Sequence, residues 1–378
     1  MQKIPFNKPS HFGEEMEYIQ DAFGRGHVSG NGYYTRECHR FFESRYGFRK
    51  CFLTTSGTDA LEMCALLLNI GLGDEVIMPS FTFVSTALAF VRQGAVIRFI
   101  DSQTDFPGMD EAQIEACITS RTRVLVVVHY AGIACDMDRI MELAQKYQLS
   151  VVEDAAQCID SFYHDRPLGG IGHLGCFSFH ETKNIHCGEG GMLVVNDERF
   201  VSRAEKIWEK GTNRADFFRR DVAKYEWVEK GSSFLPSDIL AALLFAQLQH
   251  LDEVQQKRIA VWNRYNHFFK SRSFRSTLTT PSLPAFATLN GHLYWLELSD
   301  STKRNECLEY LKTKGIHAVF HYQALHASVY YRRVETNIPG LPEAEKFSER
   351  LIRLPLFYDL SFEEVDYICK QTEEFLNR

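Results

Sequence analysis

Three clusters in the first half of the sequence could together act on one anionic ligand that carries a ring. Thr54-Thr55-Ser56-Gly57-Thr58-Asp59 joins an apolar run to an amphipathic one. Its small residues leave backbone N–H groups free at a helix N-terminus, where the helix dipole also favours negative charge, so the segment can cradle a phosphate. Taken alone, the segment reads first as an ordinary helix cap by Ser56 or Thr58. Val151-Val152-Glu153-Asp154-Ala155-Ala156-Gln157 places two carboxylates at the C-terminal end of a buried strand, the edge where open α/β sheets bind ligands. A buried Asp154 needs a partner. A protonated pyridine nitrogen, a structural arginine or a helix N-terminus would each serve. Lys183, in Ser178-Phe179-His180-Glu181-Thr182-Lys183-Asn184, follows a further strand and precedes the turn Gly188-Glu189-Gly190-Gly191. Reaching inward it would be desolvated, and the lowered pKa would make it an amine nucleophile and base; taken alone it reads as a solvated surface lysine. Together the three clusters meet the needs of pyridoxal phosphate. Its aldehyde condenses with a lysine, its ring nitrogen pairs with a carboxylate, and its phosphate sits at a helix terminus.

A fourth pattern points elsewhere. Gly170-Ile171-Gly172-His173-Leu174-Gly175 fits the dinucleotide fingerprint G-x-G-x-x-G. That motif works between a strand and the helix that receives the pyrophosphate, whereas these glycines precede a strand at Cys176 to Phe179, which argues against an NAD-linked enzyme.

The elements that must position these residues are legible from periodicity. Apolar runs at Cys51–Thr54, Glu75–Met78, Ala95–Ile100, Val124–Val128 and Ser150–Glu153 alternate with helical patterns such as Asp59–Leu68 and Asp136–Tyr147. Continuous apolar strands alternating with helices predict an α/β fold with a mostly parallel central sheet covered on both faces. Cys176–Phe179 and Met192–Val195 leave little room for a helix between them, which predicts a hairpin-like element on the same sheet. A long helical stretch from Pro236 to about Phe269 leads to a smaller C-terminal α+β domain, giving residues 1–250 as the large domain and 251–378 as the small one. The Ser-, Thr- and Pro-rich segment Ser271–Leu289 reads as the connecting loop. Beyond it the pattern predicts strands at His292–Leu298 and Ala318–Tyr322 and helices at Ser301–Lys314 and Pro342–Arg353, the last with proline in its first turn.

The 378 residues are 45% hydrophobic and 24% charged, with a formal net charge of −7. That apolar fraction supports sizeable cores and excludes disorder. The mild acidic excess, with both signs spread along the chain, offers no footprint for a nucleic-acid backbone. No apolar leader or spanning run is present, so the expectation is a cytoplasmic protein with no membrane insertion. The ten cysteines show no C-x-x-C spacing, which predicts reduced, structural thiols and no metal site.

Four segments resemble the DegT/DnrJ/EryC1/StrS aminotransferases: Thr55-Ser56-Gly57-Thr58-Asp59-Ala60-Leu61, Pro79-Ser80-Phe81-Thr82-Phe83-Val84-Ser85-Thr86, Val152-Glu153-Asp154-Ala155-Ala156-Gln157, and Phe177-Ser178-Phe179-x-x-x-Lys183 with Gly188–Gly191. The likeness runs from Ile4-Pro5-Phe6 to Leu354-Pro355-Leu356-Phe357-Tyr358. It implies a fold-type I pyridoxal-phosphate enzyme that moves an amino group from L-glutamate, leaving 2-oxoglutarate, to a dTDP-linked keto sugar.

Residue by residue, the resemblance makes Lys183 the lysine that carries the cofactor and Asp154 the partner of the ring nitrogen. Phe83 would stack on the ring, Gln157 would bond the ring hydroxyl, and Ser56, Gly57, Thr58 and Ser178 would surround the phosphate. It also implies a homodimer with shared sites, because the family completes its phosphate site from the neighbouring subunit through an asparagine in a G-Y-N-Y-type turn. Gly231-Ser232-Ser233-Phe234 stands there in this chain, leaving Ser233 as the donor. Tyr33 in Ser29–Thr35, and Tyr322 and His326 in His321–His326, are expected to face the sugar nucleotide. The family's H-Y-x-P-L-H pattern has Ala324 in place of proline here, which predicts a looser loop. His129 is a further pocket candidate, or a satisfied strand-end histidine. Arg214 would contact an anion across the dimer, or form an exposed ion pair. Amination at C3, or a non-catalytic regulatory relative, remain open alternatives. A dehydratase of the same superfamily, with histidine at the lysine position, is disfavoured by Lys183.

Overall fold

The computed structural model describes residues 3–274 and 278–378. Among these, twelve strands are found. Seven form the central sheet: β1 (Lys50–Thr54), β2 (Glu75–Pro79), β3 (Val96–Ile100), β4 (Thr122–Val128), β5 (Ser150–Asp154), β8 (Leu174–Ser178) and β9 (Gly191–Val195), in the order β1-β9-β8-β5-β4-β2-β3. Between β5 and β8 lies a small hairpin of β6 (Phe162–Tyr163) and β7 (Arg166–Pro167). All neighbours in the central sheet are parallel except those of β9, which runs against both β1 and β8. The expected hairpin is therefore β8–β9. Every residue of β2 and of β9 is buried, so both faces of the sheet are covered, as the unbroken apolar runs require.

The first core cluster contains this sheet and the helices packed on it, including Gly57–Leu67 and Met137–Tyr147. These begin at side-chain caps: Ser56 Oγ accepts from Asp59 N–H and Asp136 from Arg139 N–H. A second cluster gathers Val261, Tyr265, Leu311, Ile368 and Ile4 around a three-stranded sheet of β10 (Leu278–Thr279), β11 (Tyr294–Leu298) and β12 (Leu351–Leu354). Strand β11 is the wedge between the clusters. Its side chains alternate, Tyr294, Leu296 and Leu298 entering the second core while Trp295 enters the first.

Four expectations change. The helical stretch from Pro236 breaks at His250 into Asp238–Gln249 and Leu251–Lys270. The segment 271–289 is not all loop: β10 lies within it, and its residues 275–277 fall outside the described residues. Ala318–Tyr322 makes only a single bridge, Val319 to Arg353, and is no strand. The helix from Pro342 ends at Arg350, and the apolar residues after it form β12 against β11. Among the described residues no helix is long and apolar enough to cross a membrane.

Candidate active site

The C-terminal ends of β1, β8, β5 and β4 open onto one cavity of about 620 Å³. Ser56, Gly57 and Thr58, which follow β1, form one wall. Ser56 is extended, and its Oγ caps the helix by accepting from Asp59 N–H at 3.1 Å. Thr58 Oγ1 meets Ser85 Oγ at 2.7 Å. The cap therefore exists, and the same three residues border the cavity. The turn is held against β9 so closely that a Cβ on Gly191 would lie 2.3 Å from the Ser56 carbonyl carbon and 2.4 Å from Gly57 N. Only glycine fits there. Ser178, at the end of β8, lines the cavity beside this turn, and a Cβ on Gly57 would stand 3.0 Å from its own Cβ.

The two acids of β5 point to opposite sides, as strand alternation dictates. Asp154 lines the cavity, is 7% exposed, and accepts from Thr86 Oγ1 at 2.7 Å and from Ala156 N–H at 3.2 Å. Thr86 Oγ1 lies in turn 2.9 Å from Thr82 Oγ1. No ion pair to Asp154 is found among the described residues; its two donors there are a hydroxyl and a backbone N–H. Glu153 faces the glycine-rich loop, whose N–H groups grip it: Gly169 at 2.8 Å, Ile171 at 2.7 Å and Gly172 at 2.5 Å. The dinucleotide-like pattern is thus a nest for the protein's own carboxylate. His129 donates from Nε2 to Glu153 at 3.1 Å, because its Nδ1 accepts Cys135 N–H at 3.2 Å. His129 borders the cavity, and both of its ring nitrogens are engaged.

Lys183 follows β8 in a loop closed by Phe179 N–H to Gly190 at 2.8 Å and Glu181 N–H to Gly188 at 2.9 Å. It is half-buried and lines the cavity, and no partner for its Nζ is found among the described residues. Phe83, 54% exposed, stands at the cavity with its ring 5.9 Å from that of Tyr322. Gln157 accepts Ala131 N–H at 2.6 Å and donates to the Tyr322 hydroxyl at 2.9 Å, which leaves one amide hydrogen free.

Four expected residues do not reach the cavity within the chain. Ser233 pairs by backbone with Glu209, which also holds Arg214 at 3.4 Å and Asn31 at 3.1 Å. Tyr33 lies under the Arg25 guanidinium, 3.7 Å from its ring centre. His326 is buried between Ser80 Oγ at 2.6 Å and Glu345 at 3.0 Å. The loop at Ala324 is tied down rather than loosened: its N–H, which proline would lack, donates to Ser348 Oγ at 2.6 Å.

The sequence reading missed two buried arginines that line the cavity, Arg258 and Arg353. Arg258 donates to the carbonyls of Gly291, His292 and Leu356, and burial pulls its pKa down to about 9. Arg353 was hidden inside a helical reading, although a lone charge in Leu351-Ile352-Arg353-Leu354-Pro355-Leu356 was its signal.

An anion cradle at a helix start, a buried carboxylate without a cation, a free strand-end amine and an exposed ring beside them fit the phosphate, ring nitrogen, aldehyde and ring face of pyridoxal phosphate. The sheet that carries them is the α/β fold of pyridoxal-phosphate aminotransferases. A model of the DegT/DnrJ/EryC1/StrS aminotransferase family matches residues 9–373, and the chain belongs to that family. Among solved structures it is similar to the PLP-form of Spr1654 from Streptococcus pneumoniae, at 27% identity over 99% of this chain and 98% of that one, with a TM-score of 0.90. DesV of S. venezuelae matches at 27% identity over 100% of both chains, TM-score 0.90. Helicobacter pylori PseC, an aminotransferase involved in the biosynthesis of pseudoaminic acid, matches at 25% identity over 99% of both, TM-score 0.90.

Proposed function

We propose that the protein transfers the amino group of L-glutamate to C4 of dTDP-4-keto-6-deoxyglucose, as a dTDP-4-amino-4,6-dideoxygalactose transaminase serving cell-surface glycan synthesis. The observation that carries amino transfer is the convergence of Lys183, Asp154 and the Ser56–Thr58 turn on one cavity. The finer reading is supported by His180-Glu181-Thr182-Lys183-Asn184, Lys210-Gly211-Thr212-Asn213-Arg214 and Ala318-Val319-Phe320-His321-Tyr322, which resemble that enzyme.

Pyridoxal phosphate, when bound, supplies an electron sink for the charge left when a carbon loses its proton. The Gly57 and Thr58 N–H groups and the Ser178 hydroxyl hold its phosphate. Asp154 holds a proton on its ring nitrogen, and the Thr86 and Ala156 bonds keep that carboxylate aimed. Phe83 covers one ring face and excludes water there. Lys183 Nζ is the base: it takes the proton from the α-carbon of glutamate and, in the second half, returns a proton to the sugar carbon that has gained nitrogen. Ser233, Arg214 and Tyr33 act from a second subunit of a homodimer.

Incubation with L-glutamate and dTDP-4-keto-6-deoxyglucose, followed by NMR, tests this. The expected products are 2-oxoglutarate and an axial C4 amine. An equatorial amine or amination at C3 refutes the finer reading, and absence of any glutamate-dependent turnover refutes amino transfer.

A further inference from the structure

Helix Gly57–Leu67 packs against β8, and two sulfurs meet in the contact. Cys64 lies two turns along the helix from Gly57, and its Sγ stands 3.3 Å from Sγ of Cys176, the third residue of β8. Sulfur atoms in ordinary van der Waals contact stand farther apart, so the approach is a thiol–thiol hydrogen bond. All ten cysteines are free, and these two are buried in the first core cluster. Their access differs: Cys176 borders the cavity and Cys64 does not. Cys176 is also the register partner of Asp154 on the neighbouring strand, and Asp154 borders the cavity too. Anything that pairs with Asp154 therefore occupies the end of the cavity through which a small solute reaches Cys176.

A disulfide sets its sulfurs at about 2.0 Å, so closing this pair from 3.3 Å takes a movement of about 1.3 Å. Helix and strand have little slack to supply it. At the start of the helix they are already in contact, since a Cβ on Gly57 would stand 3.0 Å from Ser178 Cβ. Strain at the sulfurs would thus pass along the helix to the Ser56–Thr58 turn. Chemistry sets the pace. The thiolate is the reacting form, and burial first and the Cys64 contact next push the Cys176 thiol well up, so oxidation should be slow at neutral pH and quicken as pH rises.

We infer that Cys64 and Cys176 are a redox pair that a peroxide closes when the cavity is empty of cofactor, and that the closed pair holds the cofactor more weakly; the cofactor half rests on the pyridoxal-phosphate site above. Cys176 attacks one peroxide oxygen, which leaves a sulfenic acid and, with one proton, a water. Cys64 then displaces the sulfenic oxygen as a second water. Two electrons pass from the thiols to the peroxide, and both thiol protons leave in the waters. The test uses the full chain with Cys117→Ser, which removes the one cysteine that is not buried and leaves nine thiols of the ten. Cofactor-free protein is exposed to hydrogen peroxide, unfolded, and its thiols counted and mapped by mass spectrometry. The count should fall by two, with Cys64 and Cys176 in one cross-linked fragment, and Cys64→Ser should form no such cross-link. At pyridoxal phosphate about 100 times its Kd only about 1% of the protein is empty, so the cross-link should form up to about 100-fold more slowly. Spectroscopic titration should show the cross-linked protein binding the cofactor roughly 5- to 150-fold more weakly, the range for a strained core contact, and reduction should restore it. An unchanged thiol count, a cross-link between other cysteines, an equal rate with cofactor present, or unaltered cofactor affinity after closure overturns the inference. A pair that closes and weakens cofactor binding in a protein that never transfers an amino group would overturn the proposed function and leave this inference standing.

Discussion

Replacing Asp154 by asparagine removes a charge and keeps the shape of the site. The asparagine carbonyl can still accept Ala156 N–H, and its amide can donate to Thr86, whose hydroxyl then turns to Thr82. Without cofactor the unpaired buried carboxylate is a cost, so the ligand-free variant should melt no lower than wild type. With cofactor the sign reverses. A charge-assisted hydrogen bond to the ring nitrogen contributes about 1.5–3 kcal/mol, so affinity should fall about 10- to 150-fold. At a cofactor concentration of about 1,000 times the wild-type Kd, binding adds about 4 kcal/mol of stability, and a variant binding 100-fold more weakly retains about 1.4 kcal/mol. For 378 residues at about 2.1 cal/mol/K each, 1 kcal/mol moves Tm by about 1.3 °C, so the cofactor-induced rise should shrink by about 3–4 °C. Scanning calorimetry with and without pyridoxal phosphate measures both signs. An equal cofactor-induced rise in variant and wild type, or a ligand-free variant that melts several degrees lower, would refute the pairing.

Three further outcomes are expected. Lys183→Ala should abolish turnover and the visible absorbance of tightly held cofactor together; turnover that survives would remove Lys183 from its role. Gly191→Ala drives a methyl into the Ser56–Gly57 backbone, and should cost about 1–3 kcal/mol in urea unfolding and weaken cofactor binding; a neutral result would mean that the cradle is not held in place by β9. His39 is buried and accepts Leu53 N–H at 2.8 Å, and burial, ahead of the nearby Lys50 and Arg36 charges, pulls its pKa down to about 3. The unfolded chain therefore takes up this proton first, so its contribution is complete above about pH 6.5 and is lost as pH falls toward 3, by at most about 1.4 kcal/mol per pH unit. Gln in place of His39 should flatten the fall in Tm between about pH 7 and 5, and an unaltered slope would exclude His39 as its source.

Local pattern carried the central sheet well, because β1, β2 and β4 hold continuous apolar runs whose burial on two faces leaves little freedom. Lys183, Asp154 and the Ser56–Thr58 turn were visible for a related reason: each sits within a few residues of a strand end, so finding the strand finds the residue. What escaped depends on contacts far apart in sequence. Leu351–Leu354 continues a helical pattern and becomes a strand only because β11 lies alongside, with Trp295 opposite Arg353; Arg353 was lost with it. Ala318–Tyr322 has strand composition but makes one bridge. No local pattern could show that Ser233 and Arg214 gather at Glu209, away from the cavity of their own chain.

The nest around Glu153 also bears on how this enzyme fails. Glu153 and Asp154 are adjacent, chemically alike, and sent to opposite fates, one gripped by three backbone amides of a closed loop and the other held by one hydroxyl and one amide at the edge of the cavity. A slip of β5 by one residue would exchange them, offering the cofactor a silenced carboxylate and burying a live one against the loop. Strand register thus doubles as a quality check, because a chain that pairs wrongly at β5 would be unable to hold the cofactor at all. Such a protein should be colourless before it is detectably unfolded.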